Sequence, residues 1–136
     1  MSNLAIRRAL ETALNDMPVP LSTAWENDPF SPQADVPYQE AYLLYAKPEN
    51  PSPGNEYYRQ RGILQLTLRY PLNTGTADIN ERAELLRETF KRGLSFEADG
   101  VTTHIDETPE VPGGVAIGDR YVIVMRIRFY ADIFGE

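Results

Sequence analysis

The chain has 136 residues, no cysteine, one histidine and a net charge of -7. Its length fits one domain spanning residues 1–136, since single cores commonly hold about 100–150 residues, and the lack of cysteine excludes disulfides, thiol catalysis and iron–sulfur clusters. An acidic chain is a poor candidate for DNA binding, and the absence of an apolar run near ~20 residues or of an apolar leader argues against a membrane partner or a signal peptide.

The first half of the chain predicts one helix and three strands. Residues 3–17 carry apolar side chains at helical spacing. Residues 21–25 predict a short strand and residues 38–46 a longer one, while residues 58–70 alternate apolar and polar side chains and predict the clearest strand. Residues 47–54 contain three prolines, which cannot donate backbone hydrogen bonds within a sheet. This segment is therefore predicted to be a projecting loop.

The second half predicts another helix and three more strands. The helix runs to residue 92, with Asp78 and Glu81 as a capping box at its start. Residues 94–98 and 101–105 flank an Asp-Gly pair and predict a hairpin. Residues 106–118 are acidic and rich in Pro and Gly, which predicts a mobile loop, and residues 120–131 predict a final long strand.

The order of these elements predicts the fold class. Every connection between successive strands can be a hairpin or a loop, and each helix has a single apolar stripe. The predicted fold is therefore α+β, with a mostly antiparallel sheet and both helices packed on one of its faces.

Aromatic and charged residues on or beside the strands predict a protein interface, because Tyr and Arg are enriched at interface centres. We expect a basic sheet surface to meet an acidic loop of a neighbouring subunit, since such head-to-tail contacts close into rings when the rotation allows. The alternative is that the arginines pair within the chain, with Glu97 or Asp99. The candidate interface residues are Tyr57, Tyr58, Arg59, Arg61, Arg126, Arg128, Asp106, Glu107 and Glu110.

A chemical function has one candidate residue. His104 could form an acid–base unit with Asp106 or Glu107, in a small-ligand-binding domain or an enzyme. No glycine-flanked serine offers it a nucleophile, and the acidic residues 106–110 lack the glycine spacing of a calcium-binding loop. We therefore expect no enzyme activity, no catalytic residue, no cofactor and no metal site.

Several segments together resemble one known family. An N-terminal helix precedes Trp25-Glu26-Asn27, Arg61-Gly62 opens the clearest strand, Pro71 and Gly75 bound a turn, and the final strand carries residues 126–130, Arg-Ile-Arg-Phe-Tyr. This order resembles the lambda-type tail terminators of long-tailed bacteriophages and prophages, over about residues 3–131.

The resemblance implies a virion structural protein that caps the tail tube as a hexameric ring, stops tube polymerisation and offers a docking surface to the head. As partners it implies its own copies, the tail tube protein and the head–tail connector proteins. From the polar, loop-rich surface beside the two-helix core we expect a chain that is monomeric or weakly self-associating when free and that forms six-fold rings at high concentration or on the tube. It implies assembly in the host bacterial cytoplasm and a final place in the virion tail, without sequence-specific nucleic acid binding. Another head–tail joining or tail completion protein is the alternative within this class.

Overall fold

Two helices and seven strands make up the part of the fold that the structure describes. The computed structural model describes residues 2–51, 53–54 and 56–134. Residue 52, inside the predicted proline loop, therefore lies outside the described residues. In chain order the elements are α1 (Ser2–Asn15), β1 (Thr23–Trp25), β2 (Tyr38–Tyr45), β3 (Tyr57–Pro71), α2 (Ala77–Thr89), β4 (Ser95–Ala98), β5 (Val101–Ile105), β6 (Val115–Ile117) and β7 (Arg120–Phe134).

Both helices contribute to one hydrophobic cluster. Their apolar side chains recur at the helical period, so each helix buries a single stripe. The buried stripe of α1 includes Ile6, Leu10 and Leu14, and that of α2 includes Ile79 and Leu86. These residues belong to the same cluster as the buried side chains of β3 and β7. The class α+β is confirmed; packing of both helices on a single face of the sheet stays a prediction, which the shared cluster supports.

The sheet is mixed. Its strand order is β1-β2-β3-β7-β5-β4, and β6 pairs with β7 off this path. β1 runs parallel to β2, while the other neighbouring pairs are antiparallel. The prediction of a mostly antiparallel sheet was wrong at this strand, because the irregular segment after β1 is long enough to return the chain for a parallel pairing. The helices of the described part are too short or too polar to cross a membrane.

β3 and β7 form the centre of the sheet and pair along their whole length, from Tyr57 opposite Phe134 to Pro71 opposite Arg120. Successive side chains of a strand point to opposite faces. Leu64, Leu66 and Leu68 of β3 are therefore buried on one face together with alternate residues of β7. We call the opposite face of these two strands the outer face.

Three details of the sequence prediction need correction. The expected loop at residues 106–118 contains β6. This strand pairs with β7, and the two are joined by a turn in which Gly118 has a φ of 60°. The predicted capping box is absent: α2 follows Thr76, no side chain among the described residues caps it by a hydrogen bond, and Asp78 lies in its first turn. The acidic side chain there still suits the positive end of the helix dipole. The last strand continues to Phe134 rather than ending at residue 131.

Candidate subunit interface

The outer face carries the four arginines of the predicted interface. Arg59 and Arg61 lie on β3 at alternate positions, and Arg126 and Arg128 lie likewise on β7, each next to a residue that points into the core. One end of this face is closed, because Val122 is buried there and the neighbouring Arg120 bonds carbonyl oxygens of the segment before β2. The four arginines lie toward the open end.

Arg59 is fixed by a carboxylate on the neighbouring strand. Its Nε and Nη2 atoms donate to the two carboxylate oxygens of Asp132 at 2.8 and 3.0 Å, a bidentate geometry that adds specificity as well as strength. The Tyr57 hydroxyl donates to the same carboxylate at 2.7 Å. Hydrogen bonds from Arg59 first, and from Tyr57, hold the pKa of Asp132 below its ordinary value, although partial burial opposes them. The pKa values of Arg59 and Tyr57 are raised in return by their bonds to Asp132.

Tyr130 is the aromatic centre beside this ion pair. The guanidinium carbon of Arg59 lies 4.3 Å from its ring centre and that of Arg61 lies 5.6 Å away, which is within cation–π distance. The His104 ring stacks against Tyr130, with ring centres 4.9 Å apart and planes inclined by 21°. We call Tyr57, Arg59, Arg61, His104, Tyr130 and Asp132 the arginine–tyrosine cluster. Its contacts connect β3, β7 and β5.

Arg61 joins this cluster to two loops. Its Nη1 atom donates to Asp106 at 2.8 Å and its Nε atom donates to Glu49 at 3.1 Å. Glu49 also pairs through its backbone with Arg59, which draws the proline loop against the start of β3. Arg61 is thus neutralised by two carboxylates of its own chain.

Arg126 and Arg128 are the least compensated cations of the outer face, and we call them the open arginine pair. Arg128 lies 3.8 Å from a carboxylate oxygen of Glu107, and both side chains are about half exposed or more. Within the described part of the chain, Arg126 makes neither an ion pair nor a hydrogen bond and is exposed. The open arginine pair lines a small cavity of about 120 Å³ together with Glu107 and Glu110.

The structure brings most of the predicted interface residues together, with one exception. Tyr58 points to the core side of β3, where it packs against the hydrophobic cluster, and its hydroxyl lies 2.8 Å from that of Ser2. Asp106, Glu107 and Glu110 lie beside the arginines of their own chain. The expected intramolecular partners are also different: Asp99 pairs with Arg8 at 2.6 Å, and Glu97 makes no ion pair with a described arginine.

Sequence reasoning missed three members of this surface: Tyr130, Asp132 and Glu49. Tyr130 and Asp132 share the arginine face of β7 by alternation, which is a signal that the sequence contains. Their pairing with Arg61 and Arg59 depends on the register between β3 and β7. A shift of one residue would place these side chains on opposite faces.

The acid–base hypothesis for His104 finds no support in its contacts. Asp106 bonds Arg61 rather than His104. Over residues 2–51, 53–54 and 56–134, no group of three or more His, Asp or Glu side chains is arranged to hold a metal ion. The chemistry of this surface is that of ion pairs and ring stacking, which suits recognition of another protein surface.

Asp132 gives the fold a pH dependence of known sign. Its pKa is lowered in the folded chain, so ionised Asp132 stabilises the fold above its unfolded pKa, about 3.9. That stabilisation is lost as the pH falls through the folded pKa. We expect Asp132→Asn to be less stable than wild type at pH 7, and the difference to shrink toward pH 3. Urea unfolding of both proteins at pH 7 and at pH 3 measures this difference in stability. A difference that is the same at both pH values contradicts the role of this carboxylate.

Comparisons with known proteins identify the family. A model of the family described as phage tail terminator protein matches residues 5–129. A solved protein structure whose name states no function superposes with a TM-score of 0.80 at 20% sequence identity, covering 100% of this chain and 99% of that chain. That likeness shows a shared fold. No curated protein matches the chain. The resemblance found in the sequence is confirmed, and the chain belongs to the phage tail terminator family, whose members serve phage tail assembly.

Proposed function

We propose that this protein ends tail growth by capping the tail tube as a ring of six identical subunits. The ring stops addition of tube subunits and gives the head a surface to dock on. The observation that carries the proposal is the family match over residues 5–129. In this role the protein acts by binding and has no catalytic step.

The free chain is a monomer or a weakly self-associating species, and the ring forms at high concentration or on the tube. Its partners are its own copies, the tail tube protein and the head–tail connector proteins. Assembly takes place in the host cytoplasm, and the product remains in the virion tail. The exposed charges of the outer face support weak self-association of the free chain, since contacts between exposed charges are individually weak.

The outer face supplies one of the two surfaces that a ring requires. A ring of identical subunits uses head-to-tail contacts, in which two different surfaces of each subunit meet. The arginine–tyrosine cluster is held in place across three strands by an ion pair, a cation–π contact and ring stacking. A surface fixed in advance loses less entropy on binding.

Tube growth in the presence of the protein tests this function. Purified protein is added to polymerising tail tube subunits, and tube lengths and tube ends are measured by electron microscopy. We expect shorter tubes, each with a six-fold ring at its growing end, and lengths that fall as more protein is added. An unrelated acidic protein of the same size is the control and leaves lengths unchanged. Uncapped tubes of unaltered length contradict the proposal, and binding to connectors alone indicates a head–tail joining protein.

A further inference from the structure

We propose that the open arginine pair of one subunit docks on the acidic outer side of α2 in a second copy of this chain. The inference rests on the proposed function, because it names the contact between neighbouring subunits of the ring. It replaces the expected contact with residues 106–110, since those acidic residues already lie beside the arginines of their own chain.

The acidic stripe of α2 consists of Glu81, Glu84 and Glu88. All three are exposed, whereas Ile79 and Leu86 of the same helix are buried. At about 100° per residue, positions 81, 84 and 88 fall on the side of the helix that faces away from the core. Glu84 lies 3.7 Å from Arg87, and within the described residues the other two carboxylates form no ion pair.

The two surfaces match in charge and in spacing. Arg126 and Arg128 are two residues apart on a strand, so their Cα atoms lie about 6.6 Å apart. Glu84 and Glu88 are separated along the helix axis by about 6 Å. Each arginine of one copy can therefore meet one carboxylate of the next. A chain of net charge -7 needs such local complementarity to overcome its overall repulsion.

The two surfaces also lie on different sides of the molecule. The open arginine pair alternates along β7 with Met125 and Ile127, which are buried in the cluster that α2 joins. The arginines therefore point away from the core on the sheet side, and the acidic stripe points away from it on the helix side. A contact between them is head-to-tail, which leaves each subunit with one free surface for the next subunit.

Groups of the same chain compete for the open arginine pair. Glu107 and Glu110 line the cavity beside both arginines, but Glu107 approaches Arg128 no closer than 3.8 Å. Removing these two charges should strengthen the contact with the acidic stripe. We expect the double variant Glu107→Gln and Glu110→Gln to associate at lower concentration than wild type, and association that is weakened instead contradicts the proposed pairing.

Charge reversal on either surface tests the contact. Variant A carries Arg126→Glu and Arg128→Glu; variant B carries Glu84→Arg and Glu88→Arg. Each variant alone juxtaposes like charges, so we expect association measured by sedimentation velocity to weaken by about 100-fold. A 1:1 mixture should recover six-fold rings, because the subunits can alternate around a ring of even number with every contact complementary. Failure of the mixture to recover overturns the proposal, as does wild-type association in either single variant.

Matched controls separate this contact from net charge and from folding. Arg8→Glu with Lys47→Glu changes the charge as variant A does, and Asp16→Arg with Glu97→Arg changes it as variant B does. All four positions are exposed and lie outside both surfaces. We expect both controls to associate like wild type. Circular dichroism establishes that A and B are folded, and loss of association in the controls overturns the specific pairing.

Cross-linking gives a readout that does not depend on charge reversal. The chain has no cysteine, so engineered thiols report without background. Gln65 lies opposite Arg126 on the outer face, and we place one thiol there with Gln65→Cys and the other on the stripe with Glu81→Cys, which leaves the matched carboxylates of Glu84 and Glu88 in place. Oxidation of the doubly substituted protein on tube ends should give a ladder that stops at six chains. Rings without cross-links overturn the contact.

The outcomes distinguish the contact from the proposed function. Rings that cap tubes but survive both charge reversals leave the function intact and refute the contact. Complementary association that produces filaments or rings without shortening tubes supports the contact and refutes the function. A wild-type chain that stays monomeric both alone and on tube ends contradicts both.

Discussion

Replacing Phe129 by alanine should lower the free energy of unfolding by about 3–5 kcal/mol, the usual range for loss of a buried aromatic ring. Phe129 is among the largest fully buried side chains, lies in the hydrophobic cluster and meets Tyr45 edge to face, with ring centres 6.5 Å apart. It also lies between Arg128 and Tyr130 on β7. We therefore expect its loss to loosen the outer face as well as the core.

Urea unfolding followed by fluorescence of the single tryptophan, Trp25, measures this change. Phe134→Ala is the matched control on the same strand, because Phe134 is 72% exposed and contacts Tyr57 by stacking at 4.9 Å. It should lower the unfolding free energy by about 1 kcal/mol or less. Equal losses for both phenylalanines contradict the assignment of Phe129 to the core.

Replacing Gly62 by alanine should destabilise the fold by about 1–3 kcal/mol through overpacking. A Cβ atom at this position would lie 2.5 Å from the Phe129 ring and 2.7 Å from the carbonyl oxygen of Leu44. The ring can shift, but the carbonyl belongs to the β2 backbone paired with β3, so β2 itself has to move. Gly62 is thus required by close strand packing.

Thermal or urea unfolding of Gly62→Ala and of Gly113→Ala tests this explanation. A Cβ at Gly113 meets no atom within 4 Å, so that variant should stay within about 0.5 kcal/mol of wild type. In a Phe129→Ala background, Gly62→Ala should be less destabilising, because one of its two close contacts is gone. If Gly62→Ala is as destabilising in that background as in the wild type, the Phe129 ring is not part of the steric clash.

The sequence was sufficient for the parts of the fold that have a strong period. The alternation of residues 58–70 predicted β3 and its two faces, and the helical stripes predicted α1 and α2 within a few residues of their ends. β6 was missed because a run of three exposed residues has no period to detect. The direction of β1 was missed because parallel pairing depends on where a long irregular segment returns the chain.

The sequence predicted most of the residues of the candidate interface but not the contacts between them. Alternation placed Arg126 and Arg128 on one face, and the structure agrees. The pairing of Arg59 with Asp132, 73 positions apart, required the register of two long strands. Residues 106–110 could be identified as acidic, but their position beside Arg61 and Arg128 follows from how β5 joins β7.

The short β6 arm offers a place to label the protein inside an assembled particle. Three residue pairs hold β6 to the start of β7, and all three residues of β6 are exposed. Gly118 and Asp119 form the turn between the two strands. Exposed turn tips accept inserted sequence most readily. A peptide tag inserted between Gly118 and Asp119 leaves the pairing of β3 with β7 untouched, and an antibody fragment bound to it would mark each copy at the end of a tail.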